Sequence, residues 1–415
     1  MATASPPPRL PAPGYAPPDF REHKPVLDLL FLIVVFWPVA IISQLVTAGV
    51  MMAVAACAIF LTLKIARVRL GLFALFTFVI CAQLAISFAQ SRNAGAIWTQ
   101  SNHLVQIMLL YPGFVMLVQQ ARWQALLRDK RVMMGLAGLI VVSILYETFL
   151  NSREDAAGHW LAFHNISINM LALTAAFFLQ DRYERRRMVV PFVVFIAFSM
   201  LAAYRSTVDI FFIVAVLFYF VRLPPAVTKA VCALLIFGPI VIYLTADRDT
   251  LIAMLDFDHN TYVRAEFMRG ALPTLLQNPV FGVGFDVPFR DNQYAYLTDH
   301  PLLRLDESVS VVSNHHSIFD TALRLGALGA GLLYYMVFIR PKLGPGYGYR
   351  GILMVAMALG LGSNAWFENQ NQIAQVALLM ALLNYGSRFE GPSAAPARDP
   401  YARNFGWYHR RKRLR

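Results

Sequence analysis

The chain has 415 residues, 58% of them hydrophobic and 14% charged, with a formal net charge of +12. Unbroken apolar runs such as Val26 to Ile42 and Val189 to Ala203 exclude a soluble globular domain and predict a polytopic, all-α integral membrane protein. Because these runs are continuous and do not alternate, a transmembrane β-barrel is excluded as well.

Residues 1–25 are rich in proline, from Pro6-Pro7-Pro8 to Pro25, and lack the short apolar core of a signal peptide. They are expected to form a disordered tail retained in the mature protein. A hydropathy window of about 19 residues then yields about twelve spans. Their expected limits are 26–43, 45–63, 71–89, 104–120, 132–150, 164–180, 188–204, 208–222, 229–246, 316–339, 350–367 and 371–387. The implied division is a tail at 1–25, nine spans within 26–246, a polar segment at 247–315, three spans within 316–388 and a basic tail at 389–415.

Charge gives the sidedness. With the N-terminus inside, the short inner connections hold 16 Lys and Arg residues, while the outer ones hold only Arg92, Arg153 and Arg205. Cytoplasmic connections carry the positive excess, so both termini are expected in the cytoplasm and segment 247–315 in the periplasm of a Gram-negative inner membrane. The C-terminal Arg410-Arg411-Lys412-Arg413 cluster suits anionic lipid headgroups. With no folded basic domain present, the net charge is no argument for a nucleic-acid partner. Cys57, Cys81 and Cys232 all fall in expected spans, so no disulfide is expected outside and no metal-type cysteine spacing exists.

Within the polar segment, Tyr262 to Gln277 predicts an amphipathic helix with Val263, Phe267, Ala271, Leu275 and Leu276 near one face, and Arg264 and Arg269 elsewhere. Asn278-Pro279 ends it, and Gly282-Val283-Gly284 reads as a tight return. The glycines lack the preceding strand and following helix of a nucleotide fingerprint.

The stretch from Arg264 to Asn278-Pro279-Val280-Phe281-Gly282-Val283-Gly284 resembles one in the O-antigen ligase and polymerase superfamily, where an arginine starts an external helix that ends in Asn-Pro-x-x-Gly-x-Gly. His315-His316-Ser317-Ile318-Phe319, followed by Leu325-Gly326-Ala327-Leu328-Gly329, is similar to that superfamily's His-Asn-x-x-Leu and Gly-x-x-Gly. Aligning the glycines puts the family histidine on His315, while His316 stands where the family usually has Asn. Tyr204-Arg205-Ser206 resembles its Ser-Arg-Gly element, with Tyr and Ser in place of Ser and Gly, and His164-Asn165 is a weaker match to its Asn-containing span.

The resemblance covers roughly residues 160–340 and implies a GT-C-like, metal-independent, inverting glycosyltransferase that needs no cofactor. Its implied donor is a glycan on undecaprenyl diphosphate, and its acceptor a glycan or lipid-linked sugar. Arg264 and Arg205 would take the diphosphate, because arginine forks neutralise phosphate charge in bidentate geometry. His315 would act as general base on the acceptor hydroxyl, with His316, Asn314, Arg269 and Asp320 in support.

Plainer readings stand beside these. Arg205 lies four residues before Asp209 and Asp320 four before Arg324, so either pair could simply be an ion pair. Arg264 could be a solvated charge, His315 merely the start of a helix, and Gly326-x-x-Gly329 a close-packing step between spans. Adjacent histidines point about 100° apart on a helix, so zinc is not expected at His315-His316. Polymerisation of surface polysaccharide is the first expectation and ligation to lipid A-core the alternative. A transporter or flippase is the rival of another class, disfavoured by the lack of matching Gly/Pro-interrupted halves.

Overall fold

A computed structural model describes residues 71–90, 92–118, 223–247, 259–287, 316–343, 348–363 and 373–385, with isolated helical positions at 135, 138, 193, 194, 197, 210, 211, 213–217, 249, 250 and 253. Seven helices are named here: α1 (Gly71–Ala89), α2 (Ala94–Val118), α3 (Pro225–Thr245), α4 (His259–Gln277), α5 (Ser317–Tyr334), α6 (Gly348–Ser363) and α7 (Ile373–Tyr385). No strand occurs among the described residues.

Among the described residues, three helices are long and apolar enough to cross a membrane: Gly71–Ala89, Pro225–Thr245 and Ser317–Ile339. Each falls on an expected span, within a few residues of its limits. The spans expected at 26–43, 45–63 and 164–180, and the tails 1–25 and 389–415, lie outside the described residues. The helix that carries the span expected at 104–120 begins ten residues earlier, at Ala94. Asn93 explains this: its Oδ1 accepts the N–H groups of Gly95 at 2.9 Å and Ala96 at 3.3 Å, as a capping residue does. The polar stretch through Ser101, Asn102 and His103 is therefore helical and buried.

Burial orders the bundle. Ile352 to Leu359 of α6 and Val376 to Leu383 of α7 are buried on every side, as expected of helices at the centre of a bundle. In contrast, α1 and α3 expose Phe78 and Leu234, each at 69%, which suits helices with one flank towards lipid. Phe73 of α1 meets Tyr111 of α2 at 4.5 Å between ring centroids. Gly362 of α6 lies so close to α3 that an added Cβ would fall 2.5 Å from the Leu235 carbonyl oxygen. After Tyr334 the ladder widens into a π-helical turn, Tyr335–Ile339. Asn384 of α7 donates to the Met336 carbonyl at 3.0 Å and Lys229 of α3 to the Ile339 carbonyl at 3.0 Å, tying that end to its neighbours.

Candidate functional site

Two motif-bearing helices, α4 and α5, define the site. Met268 and Ala271 of α4 form a small apolar cluster with Phe319 and Leu323 of α5, flanked by Phe267, Leu275, Val283 and, from α3, Ile240, Tyr243 and Leu244. The packed row of α4 is thus Met268, Ala271 and Leu275, and Arg264 heads it one turn earlier, half-buried. This corrects the expected helix face in two places: Leu276 is 65% exposed, and Arg264 belongs to the packed row. The two motif-bearing helices therefore meet through the first turns of α5, at Phe319 and Leu323.

His316 is fully buried and is the N-cap of α5. Its Nδ1 accepts the Phe319 N–H at 3.2 Å, and its Nε2 lies 3.0 Å from the Ile236 carbonyl of α3. A carbonyl cannot donate, so the partners fix the tautomer: Nε2 carries the proton and Nδ1 is the acceptor. Pro239 lies three residues further along α3 and has no N–H to donate to the Leu235 carbonyl, the neighbour of Ile236. Both ring nitrogens are therefore occupied, which leaves His316 no lone pair for a general base. Asn is a favoured N-cap, and here His does the Asn job at that position.

Arg269 donates through Nε to the Tyr243 carbonyl at 2.8 Å and through Nη2 to the Ala246 carbonyl. These are carbonyls at the end of α3, where a helix presents its negative pole, so Arg269 holds α4 against α3. Nearby, Asp247 accepts the Thr250 N–H at 2.7 Å, and Thr250 holds its carboxyl below the ordinary value. Among the described residues, the Arg264 guanidinium has no hydrogen-bond or ion-pair partner, in contrast to Arg269. Asp320 lies buried in the first turn of α5, where a carboxylate favours the helix dipole. Asn314, His315 and Arg205 lie outside the described residues.

The feature missed by sequence reasoning is the join between the glycine motifs. Gly326 has φ 68 and ψ −173, which breaks α5 in the middle. In an unbroken helix the Ala327 N–H would bond the Leu323 carbonyl, and the Leu328 N–H the Arg324 carbonyl. Instead Ala327 donates to Pro279 at 2.8 Å and Leu328 to Val280 at 3.2 Å, while Leu323 accepts from Val283 at 2.9 Å and Arg324 from Gly284 at 3.1 Å. The Asn278-to-Gly284 loop is thus inserted into the helical ladder, and the groups freed by the break are paired with it.

Glycine is obligatory on both sides of this join. Gly282 and Gly284 adopt φ of 72 and 77, in the left-handed region that favours glycine. A Cβ on Gly282 would lie 2.5 Å from Gly326 N, one on Gly284 would lie 2.7 Å from Ser87 Oγ, and one on Gly326 would collide with the Val280 carbonyl. The expectation of a simple turn and a span-packing step therefore gives way to one shared structure. The only sequence signal was that both motifs carry paired glycines.

Residues 190–334 match the family model described as O-antigen ligase, a range that includes α3, α4, the inserted loop and α5. A comparison with curated proteins finds no match. Residues 190–334, about a third of the chain, are thus similar to the O-antigen ligase family, which supports the O-antigen ligase and polymerase superfamily as the one this region resembles.

Proposed function

We propose that the protein transfers a glycan from undecaprenyl diphosphate to an acceptor sugar hydroxyl on the periplasmic face of the inner membrane, polymerising repeat units of a surface polysaccharide. The observation that carries this reading is the junction of α4 and α5, where Met268 and Ala271, on the helix that carries Arg264, pack against Phe319 and Leu323, on the helix that follows His315. The acceptor oxygen attacks the anomeric carbon from the face opposite the lipid diphosphate. The C–O bond to the diphosphate breaks, its electron pair leaves with undecaprenyl diphosphate, and the hydroxyl proton passes to His315. Arg264 and Arg205 neutralise the charge that builds on the leaving diphosphate, a task that needs no metal when donors are preorganised. Arg269 and His316 serve as supports, holding α4 to α3 and α5 to α3.

Ligation to lipid A-core is the second reading, favoured by the description of the matched family model. The broken helix is a device that transporters also use. Here its freed backbone groups are taken up by the loop, which favours transfer chemistry over an ion or solute site. Reconstituted protein supplied with a purified lipid-diphosphate glycan tests the reading: wild type should yield product, and Arg264→Ala and His315→Ala should each lose at least about 100-fold in rate. Product from both variants at the wild-type rate would refute these roles. Deletion of the gene separates the acceptors: single-repeat products persist if it polymerises, and all glycan on lipid A-core vanishes if it ligates.

A further inference from the structure

Residues 283–287 form neither helix nor strand, yet their backbone is bonded on both sides. The Phe285 N–H donates to Ser87 Oγ at 2.9 Å and the Asp286 N–H to Gln100 Oε1 at 2.7 Å, in addition to the Val283 and Gly284 bonds into α5. The carbonyls fall to two arginines. Arg92 Nη1, from the turn between α1 and α2, donates to Val283 at 3.0 Å and Phe285 at 2.6 Å. Arg324 Nη1, from α5, donates to Gly284 at 3.3 Å and Val287 at 2.7 Å. The main-chain N–H of Asn93 completes the seam by donating to the Asp286 carboxylate at 2.6 Å.

Arg324 is 4% exposed within an apolar span, and a charge in such a place is costly unless it has a task. Its Nη1 is committed to the Gly284 and Val287 carbonyls. We propose that Arg92 and Arg324 are positioning residues for the transfer reaction. They clamp alternate carbonyls of the 283–287 segment, which keeps the loop seated in the break of α5 and so fixes the register of the Arg264 helix against the head of α5. The inference rests on the proposed function, but the clamp itself can be read without activity. A displacement of about 1 Å between reacting groups can cost on the order of 100-fold in rate without touching affinity.

The test uses the full chain in lipid vesicles, with the native cysteines replaced and spin labels at Gln277→Cys and Ala327→Cys, both exposed positions. In Arg92→Gln, a change at a half-exposed turn, the label distance distribution should broaden. The kcat for a lipid-diphosphate glycan should fall about tenfold or more while donor KM stays within about twofold. Arg324→Lys should do the same, and if it does not fold, Arg92→Gln decides. A raised donor KM with kcat preserved would mean direct substrate contact and overturn the proposal, as would an unchanged distance distribution. If wild type transfers no glycan, the transferase reading fails, and the distance distribution still decides the clamp.

Discussion

At the residue scale, the adjacent histidines divide their labour. His316 spends one nitrogen on the Phe319 N–H and the other on the Ile236 carbonyl, so the first turn of α5 is fixed from the side facing α3. His316→Asn should therefore keep the cap, fold within about 1 kcal/mol of wild type and leave the pH–rate profile of transfer superimposable on the parent. His316→Ala should lose the cap and strand a buried carbonyl, costing about 2 kcal/mol or more by thermal unfolding in detergent. A pH profile altered by His316→Asn would show that this ring takes part in proton transfer. Sequence could place His315-His316 at the head of a span, but the division of roles depends on a carbonyl eighty residues away in α3. Arg264 and Arg269 looked alike for a similar reason: only the fold shows that Arg269 is bonded to the end of α3.

At the element scale, α5 is two half-helices joined through a loop. Gly326→Ala should destabilise the protein by at least about 2 kcal/mol, from left-handed strain and overpacking against Val280, as read by thermal unfolding. Gly331→Ala, in the same helix with open space at its Cβ, should be neutral or slightly stabilising. Equal effects from the two changes would mean that the break is not essential. Hydropathy and the Asn278-Pro279 stop made α4 and α5 legible as helices. The break was not legible, because Gly-x-x-Gly has the same spacing whether helices pack side by side or a loop enters the ladder. The early start of α2 was hidden by its buried polar residues, which a hydropathy window reads as loop.

At the scale of the molecule, the repeated Lys/Arg asymmetry predicts a single orientation, with the head of α5 outside and its π-helical end inside. In a chain stripped of native cysteines, Gln277→Cys should react with a membrane-impermeant maleimide in intact cells, and Lys342→Cys only after permeabilisation. The reverse pattern would invert the topology. The centre of the bundle could be anticipated only in part: α6 and α7 are no more apolar than α1, and their central place comes from being covered on every side. The insertion at Gly326 also bears on how such proteins can be recombined. Four hydrogen bonds join 279–284 to 323–328 in one alignment, and slipping either strip by a single residue breaks all four as they are paired. Neither strip can therefore gain or lose a residue, and a chimera with a relative should work only when both are exchanged as a matched pair.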